Sequence, residues 1–332
     1  MEKPAARVGI RDVARAAGLS ITTVSWALND KGEVAESTRA RVKALAAELG
    51  YRPNQAARTL KSGRSHVLAV AIGHRESAPW QETYMPYYRS VLAGAAIEAV
   101  EHGHAVAAVP VSAEGRLSDA VAFDGLIVVD PVRDDPILAE CRARGIPVVA
   151  DGRPLDEGYD EVAIVDSDVR EPLLRALDHM RGAGAARPAL LTGSEHDAYT
   201  LDTERWYAEW CAEHGLPEIV ERVAPDATPA AAASALLARG ADAVHALNET
   251  YGNAVLARAA ALSLRLPDDL QVTMAGERTS AADYNGAGYL VLDGVGTGAA
   301  AVRVLVRMLE GEPPASLRLP CDLILPHPPA GG

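Results

Sequence analysis

The residues of this chain are suited to recognition rather than to bond-breaking. No Gly-x-Ser-x-Gly elbow, His-Glu-x-x-His pair or phosphate loop with its Lys occurs. Gly294-Val-Gly-Thr-Gly298 has the glycines of a phosphate loop but neither the full spacing nor the following Lys. Cys141, Cys211 and Cys321 are widely separated and form no Cys-x-x-Cys, so neither a disulfide framework nor a metal site is expected. The suggestive cluster is near the N-terminus, Ser20-Ile-Thr-Thr-Val-Ser-Trp26 followed by Asn29. Hydroxyl and amide donors gathered at the start of a helix suit phosphate oxygens.

Two short helices would place that cluster. Ile10, Val13, Ala14 and Ala17 recur at three- and four-residue spacing and share one face. Gly18 tolerates the left-handed conformation that ends a helix, and Ser20 is a good N-cap for a second helix over 21–28. Two short helices around a tight Gly-containing turn make a helix-turn-helix, whose second helix presents its first residues to base edges in the major groove. Asn29-Asp-Lys-Gly32 reads as a turn, and a longer helix runs from Ala35 to about Gly50. Ile10, Val13, Val24, Leu28, Val34, Val42, Leu45 and Leu49 form the expected miniature core. Residues 54–61 are again helical in pattern but too few to hold a helix alone in water, so they are expected to order against DNA or a second chain.

At 332 residues the chain is long enough for two or three units, and 48% hydrophobic content leaves ample core. No apolar run reaches the roughly 18 residues needed to span a bilayer, and the first residues lack a signal-peptide core, so a cytoplasmic location is expected. Charge is unevenly spread. Residues 1–65 hold 12 Lys and Arg against 6 Asp and Glu; the remainder holds 20 against 39, for a total of −13. A basic head on an acidic body suits a phosphate backbone at one end only.

Asp12-Val-Ala-Arg-Ala-Ala-Gly-Leu-Ser20, Thr22-Thr-Val-Ser25, Asn29, Val34-Ala-Glu-Ser-Thr-Arg39 and Gly50-Tyr-Arg-Pro-Asn54 together resemble the head of the lactose-repressor (LacI-type) family of bacterial regulators. The resemblance is nearly continuous over about sixty residues. It implies that Ile21, Thr22 and Trp26 face bases, that Ser20, Thr23, Ser25, Asn29 and Asn54 hold phosphates, and that a hinge helix with Ala57 and Leu60 meets the minor groove. An apolar wedge such as Leu60 lets paired hinge helices kink the duplex. Trp26 departs from the Arg or His common at its position. It cannot make the bidentate pairing of Arg with guanine, so it either contacts a thymine methyl or sugar edge or packs on the turn.

From His66 onward, apolar runs of strand length alternate with helical patterns. These argue a parallel sheet covered on both faces, with a second alternation restarting at Val162. The fold class expected is α/β: a three-helix head with a hinge helix, then two doubly wound parallel-sheet subdomains resembling the periplasmic-binding-protein type. The expected boundaries are 1–52 for the head, 53–65 for hinge and linker, and 66–332 for an effector-binding and dimerisation domain. Within the last, subdomain one takes 66–160 and 293–320, and subdomain two takes 161–292 and 321–332. Ligands of such sheets sit beyond the carboxyl ends of the strands.

The resemblance carries over a candidate effector site. Met85-Pro-Tyr-Tyr88 matches an Asn-Pro-aromatic-aromatic turn, making Tyr87 and Tyr88 candidates to stack on a ligand ring. Asp151 ends a strand facing the cleft, Arg205 matches an effector-binding Arg, and Asn248-Glu249 stands where the family has Asn-Asp, with Asn248 taken as the contact. The family's Gly-Phe-Asp-Asp is here Ala275-Gly-Glu277, so the first acid is missing and only Glu277 remains. Residues 112–122 are shorter than usual, without room for a full helix, and a loop over 75–83, carrying Trp80, is longer.

The function so implied is that of a sequence-specific transcriptional regulator, a repressor. It would bind a pseudo-palindromic operator in double-stranded DNA as a homodimer and answer to a small-molecule effector, a carbohydrate being one candidate class. No cofactor and no membrane partner are expected. The rival reading is a ligand-binding receptor without DNA regulation, against which the basic head and the missing signal peptide both speak. An enzyme is a third class, with no motif behind it. The C-terminal Pro326-His-Pro-Pro-Ala-Gly-Gly has no heptad, so a dimer is expected rather than a helically tethered tetramer.

Overall fold

The computed structural model describes residues 8–51, 63–72, 78–112, 115–194, 196–277 and 286–326. The chain divides into two compact units, Met1–Ser65 and His66–Gly332.

The first unit contains α1 (Ile10–Ala17), α2 (Ile21–Leu28) and α3 (Glu36–Glu48). Gly9 N–H donates to the Asp12 carboxylate at 2.9 Å at the start of α1, and Gly18 in the left-handed region (φ 65°) ends it. Ser20 caps α2 by accepting from Thr23 N–H at 3.0 Å, a bond that contributes about 1 kcal/mol. Val13, Ala14, Ala17, Val24, Ala27, Val42 and Ala46 are buried between the three helices. Ile10, Leu28, Val34, Leu45 and Leu49 pack at the margin. The turn after α2 is tied to α3 by Asp30, which accepts from Lys43 at 2.7 Å and from Arg39 at 3.3 Å. The expected hinge residues Asn54, Ala57 and Leu60 lie outside the described residues.

The second unit holds two sheets. The first is ordered β11-β5-β4-β3-β1-β2, from β1 (Val67–Ile72), β2 (Ala105–Ala108), β3 (Gly125–Val129), β4 (Val148–Asp151), β5 (Ala163–Asp168) and β11 (Leu317–Pro320). All its pairings are parallel. Helix α4 (Ala78–Glu101) and helix α10 (Gly294–Leu309) cover one face and α5 (Pro136–Arg144) the other. The second sheet is ordered β12-β10-β9-β8-β6-β7, from β6 (Pro188–Gly193), β7 (Val220–Val223), β8 (Ala243–Ala246), β9 (Gln271–Glu277), β10 (Gly288–Leu292) and β12 (Asp322–Ile324). It is parallel except where β12 runs antiparallel to β10. Helices α6 (Arg170–Gly182) and α7 (Ala198–His214) pack on one face, α8 (Pro229–Ala238) and α9 (Glu249–Ala261) on the other. Strands such as Gly125–Val129 and Val148–Asp151 are buried at every position, as a sheet covered on both faces requires.

The chain passes between lobes three times: after β5, after β10 and after β11. One expected boundary needs correction here. The first lobe does not end at 160, because β5 pairs with β4 and β11 and the crossover falls after Asp168. The last two strands, β11 and β12, lie in different sheets on either side of Cys321. The error at 160 arises because hydrophobic pattern marks a strand without marking its sheet. Helix α4 also starts earlier than expected, so residues 78–83 are helical rather than loop, and Met85–Tyr88 lies inside a helix that carries Pro86 rather than in a turn. Helices α4 and α10 cross backbone to backbone. A Cβ on Gly298 would strike the Val91 carbonyl, and one on Gly94 the Val295 carbonyl.

Candidate functional site

In the first unit, α2 presents an exposed face. Ile21 and Trp26 are 45% and 42% exposed, and Thr22 and Asn29 are exposed beside them. Thr23 and Ser25 are partly buried. Positions 21, 22, 25, 26 and 29 follow the helical repeat and share one side. Some of the polar groups are already engaged. The Ser20 and Thr23 hydroxyls are 2.8 Å apart, and Asn29 Nδ2 donates to the Ser25 carbonyl at 2.7 Å. The Trp26 indole leans on the turn, since a Cβ on Gly32 would come within 2.7 Å of its ring. Trp26 therefore packs against Gly32 and still presents a large apolar surface to solvent.

In the second unit, a cavity of about 290 Å³ lies at the carboxyl ends of the strands. Five carboxylates line it: Asp130, Asp151, Asp166, Glu249 and Glu277. Each is placed by a strand or helix, four of them at its end. Asp130 follows β3, Asp151 ends β4, Asp166 is in β5, Glu249 opens α9 and Glu277 ends β9. Tyr87 from α4 and Tyr199 from α7 supply the aromatic wall. The Tyr87 hydroxyl donates to Asp151 Oδ2 at 3.0 Å, and the Tyr199 hydroxyl to the Leu247 carbonyl at 2.9 Å. Asn248, N-cap of α9, accepts from Tyr251 N–H through Oδ1 at 3.0 Å. Its Nδ2 is buried without a partner, as are Glu249 Oε1 and Glu277 Oε1.

The cavity is acidic, and burial favours the neutral form of its carboxyls. Burial and the neighbouring Asp130 push the Asp151 carboxyl well above the usual carboxylate range, against the pull of the Tyr87 hydrogen bond. Burial raises Asp166 too. Glu277 is pushed up to about 7 by burial, with Asp293 and Glu249 adding repulsion and a Ser90 hydrogen bond opposing it. Burial also raises Tyr87, helped by Asp151, and Tyr199. No Lys, Arg or His lines the cavity among the described residues.

Four of the six expected effector residues meet here: Tyr87, Asp151, Asn248 and Glu277. Two do not. Tyr88 is buried beneath the wall, and its hydroxyl donates to Asp130 Oδ2 at 2.7 Å, so it braces a lining carboxylate instead of facing a ligand. Arg205 is on the outer side of α7 with its side chain 54% exposed, held by Asp202 at 3.1 Å and Glu209 at 3.0 Å. Those carboxylates lie three and four residues away on the same helix, the spacing at which side chains meet. Asp202 also receives Arg153 from the loop after β4 at 2.9 and 3.1 Å, which links the two lobes. Asp130, Asp166, Tyr199 and Glu249 were not among the expected contacts. Asp130 could have been found, since it ends an apolar run as Asp151 does. Tyr199 is brought in by the fold alone.

Comparison with known proteins bears on both units. Residues 9–54 match the family described as bacterial regulatory proteins, lacI family, and residues 177–325 match the periplasmic binding protein-like domain. Solved structures share the fold. The Lac repressor dimer bound to operator and the anti-inducer ONPF is 20% identical, with 96% of this chain and 98% of that chain covered and a TM-score of 0.79. The complex of the transcriptional regulator CelR with cellobiose is 24% identical over 96% and 99%, at a TM-score of 0.68. Curated relatives are covered over 48% to 79% of their own lengths. Among them, the HTH-type transcriptional regulator CelR of Thermobifida fusca is 30% identical over 78% of this chain and 79% of its own length. With a lacI-type head, a periplasmic-binding-protein-like body and a relative 30% identical over 78% of its length, this chain belongs to the lacI family of bacterial transcriptional regulators.

Proposed function

We propose that the chain is a cytoplasmic repressor that binds a pseudo-palindromic operator as a homodimer and releases or tightens it when a sugar occupies the cavity. One observation carries the reading. A cavity of about 290 Å³ opens at the carboxyl ends of two parallel sheets, in a chain whose other unit is a lacI-type head. Ile21, Thr22 and Trp26 of α2 are assigned to bases, and Ser20, Thr23, Ser25 and Asn29 to phosphates. Asn54, Ala57 and Leu60 are assigned to DNA on the sequence resemblance alone. Tyr87, Asp151, Asn248 and Glu277 are assigned to the effector, joined by Asp130, Asp166, Tyr199 and Glu249. An apolar aromatic wall with carboxylate and amide acceptors suits a ligand that offers hydroxyl donors, and the relative solved with cellobiose supports a sugar. Among the described residues no helix is long and apolar enough to cross a membrane. The site is assigned to binding without turnover. The effector needs a differential affinity of only about 1–3 kcal/mol between two states to control operator occupancy.

Selection of genomic fragments with the purified full chain tests this, followed by gel shift on the recovered sites. One pseudo-palindromic sequence is expected, and Ile21→Ala or Thr22→Ala should relax its preference by about 1–3 kcal/mol at one base step per half-site. Recovery of fragments without a common sequence would favour the receptor reading instead.

A further inference from the structure

Position 276 is where the family resemblance places an acid, and this chain has Gly there. The structure fills the gap from another element. A Cβ on Gly276 would strike the Glu249 side chain at Oε1, Cγ and Cδ. Glu249, at the first position of α9, thus lays its carboxyl over the β9 backbone in the space a side chain at 276 would take. One residue along β9, the Glu277 carboxyl reaches toward Gly294, where a Cβ would lie 2.7 Å from Oε1.

The two acids make an unusual pair. Both line the cavity, and the Oε1 atom of each is buried without a hydrogen-bond partner. Glu249 stands close enough to Glu277 to disfavour its ionised form, and Asp293 adds to that. No cationic side chain lines the cavity among the described residues. No group of three or more His, Cys, Asp or Glu among them is arranged to hold a metal ion. Buried carboxylates without counter-charge are costly, so a ligand that supplies positive charge gains what a neutral one cannot. A hydroxyl brings one donor and no charge. A protonated amine brings up to three donors and cancels the repulsion. Beside the pair, the unpartnered Nδ2 of Asn248 is a donor for a hydroxyl or ring oxygen on the same ligand.

We propose that Glu249 and Glu277 form an ammonium subsite and that the effector is an amino sugar. This rests on the sugar reading of the cavity above and narrows it to one chemical class. Phosphorylated and carboxylated sugars are rejected by the same acids.

The test is isothermal titration of the full chain with three sugars of one scaffold: cellobiose, the β-1,4-linked glucosamine disaccharide, and its N-acetylated form. The free amine should bind about tenfold or more tighter than cellobiose, and acetylation should remove the preference. In Glu277→Gln and Glu249→Gln, both close in shape to the native residue, the ratio of the two dissociation constants should fall toward one. Because Glu277 is pushed up to about 7, the native chain should release more protons on binding the amine at pH 7 than Glu277→Gln does, read from runs in buffers of different ionisation heat. The proposal is overturned if cellobiose binds as tightly as the diamine, or if the ratio survives in both variants. It is equally overturned if the diamine fails to bind a chain that still selects its operator. Loss of operator selection with the amine preference intact would instead sink the repressor reading and leave the subsite standing.

Discussion

In the head, the described residues assigned to DNA sit within ten consecutive positions of one short helix and its caps, 20–29. In the cavity, the carboxylates and tyrosines come from seven separate segments spread between Tyr87 and Glu277. The head is positioned by short-range physics: a Ser20 cap, a Gly18 stop, and a seven-residue core that leaves one face of α2 exposed. The cavity is positioned by two sheets and three crossovers, and its side chains answer to neighbours remote in sequence. Tyr88, one residue from a lining tyrosine, turns to Asp130 instead. Sites held by local geometry keep their sequence signature, whereas in sites held by long-range packing a side chain from one element can fill the space open at another, as Glu249 does beside Gly276.

Separate variants should break each region alone. Val24→Asp puts a charge into the fully buried centre of the head. It should cost about 100-fold or more in operator affinity, with calorimetric ligand affinity unchanged. Parallel loss of both would mean that the units do not fold independently. In the cavity, Tyr87→Phe removes the hydroxyl donor from buried Asp151. Ligand affinity should fall by about tenfold, the size of an unsatisfied buried acceptor, without change in ligand-free operator binding. Equal affinity would take Tyr87 off the site.

Glu277→Gln sharpens the comparison through pH. Glu277 is raised from 4.5 to about 7 in the fold, facing Ser90, Glu249 and Asp293. A raised carboxyl contributes stability that is fully present below about 4.5 and is lost as pH rises through about 7. The Gln variant stays neutral, so its melting temperature should gain on the native chain by a few degrees between about pH 5 and about pH 8. A difference constant across that range would mean that Glu277 titrates normally. The smallest effect belongs to Arg205→Ala. Its partners are exposed or shared, so stability should change by less than about 0.5 kcal/mol and ligand affinity should not move. A large loss of ligand affinity would restore Arg205 to the cavity.

The sequence made the head legible almost residue by residue, because helix caps, turn glycines and i, i+3, i+4 spacing act within a few residues. Val13, Val24 and Val42 were expected in its core and are each fully buried there. The two parallel-sheet lobes were also legible, since buried strands such as Leu126–Val129 read as unbroken apolar runs. The sheet to which β5 belongs was not: its pattern looks like that of strands in the other lobe. Side-chain direction was not legible either. Arg205 shares its helix with Asp202 and Glu209, and those two carboxylates decide where the guanidinium goes. The filling of the space beside Gly276 is not legible either, because the Glu249 side chain that occupies it comes from 27 residues earlier, on another element.

The central claim is that the cavity governs the head. The direct measurement is an equilibrium titration of one recovered operator with the full chain, with and without the sugar whose binding calorimetry has recorded. A change of roughly fivefold or more in the operator dissociation constant is expected at saturating sugar, the lower bound of a coupling of about 1–3 kcal/mol. An operator affinity indifferent to a saturated cavity would contradict it.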